Sequence, residues 1–239
     1  KNFTEGAYTP IGELTAYLLA AWTRAGEGSL QQAVAELKKL DKNEAFTNFR
    51  LYHTALIADV LNNPIRAEAA YKEALARNAK ALRVVQAYGN FLERHKRRDE
   101  ALQVYKDYGK DGETSVLIDA AIRDAESGKV PEPFVKDALA GTSEALFSLG
   151  SVMTDDQSLP IPLMYTQLGL SLPGDKAMLQ TLLGDVLGDM KKYELSNKAY
   201  AAVPASSSLT INAQLNQAIN LQRLDKADDA IAMLNKLLE

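Results

Sequence analysis

Few residues in this chain have the types and spacing that chemistry requires. The two histidines, His53 and His95, lie in different segments, and neither has a second histidine or a glutamate spaced to share a metal ion. There is no cysteine, which removes disulfides, thiol nucleophiles and thiolate metal sites. A serine nucleophile would need a base within reach and a sharp turn to present it, and no such pattern occurs. The glycines do not form a phosphate-cradling loop. Asp155-Asp156 could hold a cation, although adjacent acids in a polar loop are usually solvated. Asp185 and Asp189 stand four residues apart on one helix, where they repel weakly and suit a basic partner; nothing places them as acid and base. The basic run His95–Arg98 is followed at once by Asp99-Glu100, so it reads as a solvated turn rather than a nucleic-acid patch. The chain is therefore expected to be no enzyme, to use no cofactor and to hold no metal. An enzyme with an unrecognised site is the third-ranked reading.

The elements that carry these residues are helices. The chain has 239 residues, 46% hydrophobic and 24% charged, with a net charge of -4, a balance that does not favour nucleic acid as a partner. No run of 18 apolar residues occurs, so no membrane span is expected. Apolar spacing predicts a helix over Glu13–Gly26 behind a Thr9 cap and Pro10, stopped by Gly26 and Gly28, with Ser29 capping the next helix. Helix, short turn, helix then repeats, and no sustained strand alternation appears.

The repeat has a period. Ala21, Ala33 and Leu37 recur 34 residues later as Ala55, Ala67 and Tyr71, and again as Gly89, Ala101 and Tyr105. The second half shows Gly150, Pro162 and Thr166, then Gly184, Ser196 and Tyr200, then Ala218, Ala230 and Leu234, with the same interval of 34. Two antiparallel helices approach closely only where a small side chain faces the partner, and the large residue one turn on fills the space as they diverge. A single hairpin cannot bury its apolar face, so hairpins at a fixed period stack into a solenoid. Between Gly89 and Gly150 the interval is 61, seven short of two periods. The organisation expected is three repeats over 10–108, a degenerate central unit over 113–141, and three repeats over 142–239. Ser115–Gly128 is read as the central unit's first helix, and the stretch with Pro131 and Pro133 as its broken second half.

These residues resemble the tetratricopeptide repeat. The match is fullest at Tyr88-Gly89, Leu92, Ala101 and Tyr105. It recurs at Ala55, Ala67, Tyr71 and Ala74, and at Leu183-Gly184, Leu187, Tyr200 and Pro204. Arg24 and Pro162 depart from the family pattern, standing where a large apolar residue and an alanine are usual. The resemblance implies an all-α, right-handed superhelix of about six helix-turn-helix repeats plus the central unit. The stretches 81–92 and 200–231 also look like parts of long tetratricopeptide proteins of alphaproteobacteria. Those are generally exported and carry further repeats, which implies a bacterial periplasmic location and a piece of a longer protein.

In such a superhelix the first helix of each repeat lines the concave face. That face is expected to include Leu18, Trp22, Tyr52, Leu56 and Asp59, then Arg83, Gln86, Asn90 and Arg94. In the second half it includes Phe147 and Ser151, then Thr181, Asp185 and Asp189, then Leu215, Ile219 and Arg223. Trp22 and Tyr52 stand equally as core between repeats. Arg83, Asn90 and Arg94 could fork onto a carboxylate. Domains of this family that clamp chaperone tails use two lysines and two asparagines; Asn90 matches one and the lysines are missing, so chaperone tails are not expected. The leading reading is a scaffold that binds a protein or peptide in this groove. The alternative is self-association, a homo-oligomer formed through terminal helices, since Ile231, Leu234, Leu237 and Leu238 have nothing following to cover them.

Overall fold

The computed structural model describes residues 9–152 and 160–238; Asp155-Asp156 lies outside them. Among the described residues there is no strand. The helices are α1 (Pro10–Gly26), α2 (Leu30–Lys38), α3 (Thr47–Val60), α4 (Pro64–Arg77), α5 (Leu82–Arg94), α6 (Arg98–Tyr108), α7 (Val116–Ser127), α8 (Ala138–Ser151), α9 (Pro160–Leu170), α10 (Lys176–Asp189), α11 (Tyr193–Ala201), α12 (Thr210–Arg223) and α13 (Ala227–Leu238). They fall into two compact units, Lys1–Ala145 and Leu146–Glu239, whose boundary lies inside α8.

The first helices start as their sequences dictate. The Thr9 hydroxyl accepts from the Gly12 amide at 3.1 Å, with Pro10 next, where its missing donor costs nothing. Asn63 does the same for Arg66 ahead of Pro64, at 3.1 Å. The turns then repeat one geometry. In α1/α2, α3/α4, α5/α6, α10/α11 and α12/α13 three residues connect the helices. The middle residue of each is left-handed: Gly28 (φ 78°), Asn62 (54°), Lys96 (63°), Lys191 (58°) and Asp225 (58°). Each turn closes with an amide reaching back five residues: Ser29 to Arg24, Asn63 to Ala58, Arg97 to Leu92, Lys192 to Leu187 and Lys226 to Leu221, at 2.8–3.0 Å. That bond satisfies a carbonyl left orphaned at the helix end, and it folds the next helix back antiparallel.

The small-residue contacts hold within each unit. Ala21, Ala33, Leu37, Ala55, Ala67, Tyr71 and Ala101 are fully enclosed, and Tyr105 nearly so. A Cβ on Gly89 would lie 2.1 Å from Cε1 of Tyr105, so the ring occupies the place of a side chain. Gly184 repeats this in the second unit, where a Cβ would lie 2.4 Å from Cε1 of Tyr200. Beyond each hairpin, α2 packs on α3, α4 on α5, α1 on α3 and α3 on α5, so the hairpins of the first unit stack with their first helices side by side. In the second unit α9, α10, α11, α12 and α13 pack in succession.

The central region differs from expectation. α7 forms where Ser115–Gly128 predicts it, ends on left-handed Gly128, and packs on α5 and α6. Residues 129–137 then form no helix, and α8 runs without a break through the expected boundary at 141/142. The cause is local. Pro131 and Pro133 lack amide donors and bias the residues before them toward extended backbone. Helix resumes only after Asp137, whose carboxylate accepts from the Ala140 amide at 2.9 Å.

Candidate partner-binding faces

In the first unit, α1, α3 and α5 lie side by side and share a face. Residues 132–144, the stretch between α7 and the middle of α8, lie on it. Asn90 reads the backbone of this stretch from both sides: its Nδ2 donates to the Glu132 carbonyl at 2.8 Å, and its Oδ1 accepts from the Phe134 amide at 3.1 Å. Arg83 lies over the Phe134 ring, with its guanidinium carbon 4.4 Å from the centroid. Arg83 also grips Glu144, Nε donating to Oε1 at 3.0 Å and Nη2 to Oε2 at 2.5 Å, and Tyr52 donates to the same carboxylate at 2.8 Å. One turn earlier in α8, Gly141 meets the Trp22 ring so closely that a Cβ would come within 2.1 Å of it.

Neighbours on the face hold these groups in place. Arg94 donates from Nε to Asn90 Oδ1 at 3.0 Å and pairs through Nη2 with Asp59. Gln86 accepts from Arg83 at 3.2 Å. The Arg83–Glu144 pair is nearly dry, its side chains 13% and 5% exposed. Losing one member of such a pair strands the other, at a cost of about 3–5 kcal/mol. Burial pushes the Asp59 carboxyl up from its ordinary range, against the pull of Arg94. Burial also lifts the Tyr52 hydroxyl well above its usual value, and the Glu144 charge adds to that. Below the face, the Trp22 indole donates to Nδ1 of His53 at 3.1 Å. His53 is fully enclosed, and burial drives its pKa down to about 3. His53 is thus a neutral acceptor in the core. His95 is exposed at the end of α5, its Nδ1 2.7 Å from the Phe91 carbonyl.

The second unit presents an open counterpart. α10 and α12 flank a cleft of about 290 Å³ lined by Asp185, Asp189, Tyr200, Asn216, Ile219, Asn220 and Arg223 among others. Asp185 Oδ1 accepts from the Tyr200 hydroxyl at 2.6 Å. Its carboxyl is pushed up from the ordinary range by desolvation in the cleft, with the nearby Asp189 charge adding to this and the Tyr200 bond opposing it. Asn220 is anchored by bonds to Ser196 Oγ (2.8 Å) and Asn197 Oδ1 (2.9 Å), which fixes the cleft floor. Arg223 lies over the Tyr193 ring at 5.3 Å. Phe147, at the start of this unit, is buried. A second, apolar cleft of about 490 Å³ lies between α12 and α13, lined by Leu215, Ile219, Ile231 and Leu234 among others.

The period of 34, the matching turns and the small-residue contacts together decide the fold. It is that of tetratricopeptide repeats. Among solved structures, the chain is similar to Pseudomonas aeruginosa PilF, with 18% identity, 94% of this chain and 90% of that chain covered, and a TM-score of 0.36. It is similar to MamA at 16% identity, with 76% and 90% covered and a TM-score of 0.38. It is also similar to the TPR domain of P58(IPK) at 12% identity, with 95% and 60% covered and a TM-score of 0.38. No family model and no curated protein matches the chain.

Of the groove residues read from sequence, Tyr52, Asp59, Arg83, Gln86, Asn90 and Arg94 gather on one face of the first unit, while Trp22 is fully buried beneath it. Asp185, Asp189 and Arg223 gather on one face of the second. Sequence reasoning missed Glu144 and the backbone at 132–134 as their counterparts. The signal was present in the prolines of PEPF, which mark a stretch that cannot be regular helix. It was also present in Glu144, a lone acid inside the apolar run of α8. Among the described residues no cluster of three or more histidine, aspartate or glutamate side chains is placed to hold a metal, and no helix is long and apolar enough to cross a membrane.

Proposed function

We propose that this protein is a non-enzymatic scaffold that holds a partner polypeptide against the first helices of its repeats, with the α10–α12 cleft as the open contact. The observation that supports this is on the first unit. There the same kind of face already grips a non-helical stretch of polypeptide, through Asn90 to the Glu132 carbonyl and the Phe134 amide. Bonds from receptor side chains to ligand backbone are how grooves of this kind hold a peptide with little regard to its sequence. The α10–α12 cleft adds Asp185 and Asp189, so the partner that fits carries a lysine or arginine. Selection from a random peptide library against the full chain tests this. Basic peptides should be recovered, and Asp185→Asn with Asp189→Asn should weaken them about tenfold or more. The fold should survive the change, since the amide that replaces the Asp185 carboxylate can still accept from the Tyr200 hydroxyl. Recovery of no peptide, or of peptides indifferent to both substitutions, would refute the reading.

The apolar α12–α13 cleft supports a second reading, self-association. Ile231 is 57% exposed and Leu234 38% exposed on α13, a patch that water disfavours. Sedimentation equilibrium should then show a dimer that Ile231→Glu with Leu234→Glu converts to monomer. A wild-type monomer at all concentrations excludes it.

A further inference from the structure

We infer that the face of the first unit formed by α1, α3 and α5 is a second polypeptide-binding site, occupied in cis by the strap of residues 130–137, and that it accepts in trans a segment with a proline-flanked aromatic residue. This inference rests on the scaffold reading above; the basic-peptide selection reads the α10–α12 cleft and the strap-peptide titration reads this face, so the two can fail separately.

Three features carry the inference. The contacts have the form of recognition rather than of core packing. One asparagine pairs with a carbonyl and an amide two residues apart, and one guanidinium covers the aromatic ring. The receptor side is fixed without the strap: Asn90 is held by Arg94, Arg94 by Asp59, and Arg83 by Gln86 and Glu144. Only part of the strap is buried. It has no helix, and Glu132, Pro133, Lys136 and Asp137 are exposed, while Phe134 and Val135 turn inward. Its two prolines restrict the backbone of the free segment, so less order is lost when such a segment binds.

A tethered ligand competes as a local concentration on the order of millimolar. A free peptide of the same sequence therefore binds the intact chain weakly and binds better once the strap is loosened. The experiment is titration of a labelled peptide of residues 129–137 into the full chain, read by fluorescence anisotropy. Phe134→Ala in the protein should tighten binding about tenfold or more over wild type. Adding Asn90→Ala should abolish the gain, and a scrambled peptide should not bind. Pro131→Gly with Pro133→Gly, which loosens the strap without removing the ring, should also tighten binding. Folding of each variant is checked by the emission of Trp22. Equal binding to wild type and Phe134→Ala, no binding to either loosened variant, or binding indifferent to Asn90→Ala would overturn the inference. Unfolding of both loosened variants would also overturn it, because the strap would then be core.

Discussion

At the scale of single residues, equivalent positions in neighbouring repeats have taken different jobs. Glu93 accepts from the Tyr105 hydroxyl at 2.8 Å. Asp59, 34 residues earlier, is turned to Arg94 instead, and the Tyr71 hydroxyl is buried with no hydrogen-bond partner. Tyr71→Phe should therefore be neutral or slightly stabilising, whereas Tyr105→Phe should cost about 1–2 kcal/mol in urea denaturation, because a buried bond to a carboxylate is lost. Equal costs would contradict this pairing. His53 sets a second expectation. Its folded pKa of about 3 lies below the ordinary 6.5, so the unfolded chain takes up a proton that the folded chain refuses. Stability is complete above about pH 6.5 and falls as the pH drops toward 3, by up to about 1.4 kcal/mol per pH unit. Asp59 and Glu93, raised by burial, act in the opposite sense, but nearer the carboxylate range. Between pH 6.5 and 5 the denaturation midpoint read from Trp22 should fall in wild type and stay nearly level in His53→Gln. Parallel curves would place the proton elsewhere.

At the scale of elements, the turns recur with the period and carry a small strain. Lys96, Lys191 and Asp225 adopt the left-handed conformation that Gly28 adopts freely. Lys191→Gly should therefore raise stability by roughly 0.5–1 kcal/mol in thermal or urea denaturation, and a loss would mean that the lysine side chain has a role there. Gly184→Ala acts the other way. Its methyl would meet the Tyr200 ring, and overpacking of this kind costs about 1–3 kcal/mol. These elements were legible in the sequence because caps, small residues and turns are local and repeat in phase: Thr9-Pro10, Asn63-Pro64 and the glycines at 89 and 184 each state their own geometry. α8 was not legible as one helix. Its start depends on Asp137 capping after two prolines, and the seven-residue slip in the period hides where the next repeat begins.

At the scale of the whole molecule, the sequence showed which helices face inward but not what they face. The alignment of Tyr52, Arg83, Asn90 and Arg94 on one face follows from helical periodicity alone. Their occupation by residues 132–144 depends on contacts as much as 92 residues apart, such as Tyr52 to Glu144, and no local pattern encodes such a contact. The two faces now differ in kind: the first is filled by the chain itself, and the α10–α12 cleft is open and acidic at Asp185 and Asp189. Basic peptides bound in that cleft should release as salt is raised from about 0.05 to 0.5 M, since exposed charges are screened over about 10 Å at 0.1 M. The central claim is that the first unit's face grips non-helical chain by side-chain-to-backbone bonds. The most direct measurement is hydrogen exchange at the Phe134 amide in the full-length protein. The account predicts protection in wild type, despite the absence of any helix there, and at least about tenfold faster exchange in Asn90→Ala. A Phe134 amide that exchanges at the rate of free chain in the wild type would contradict it.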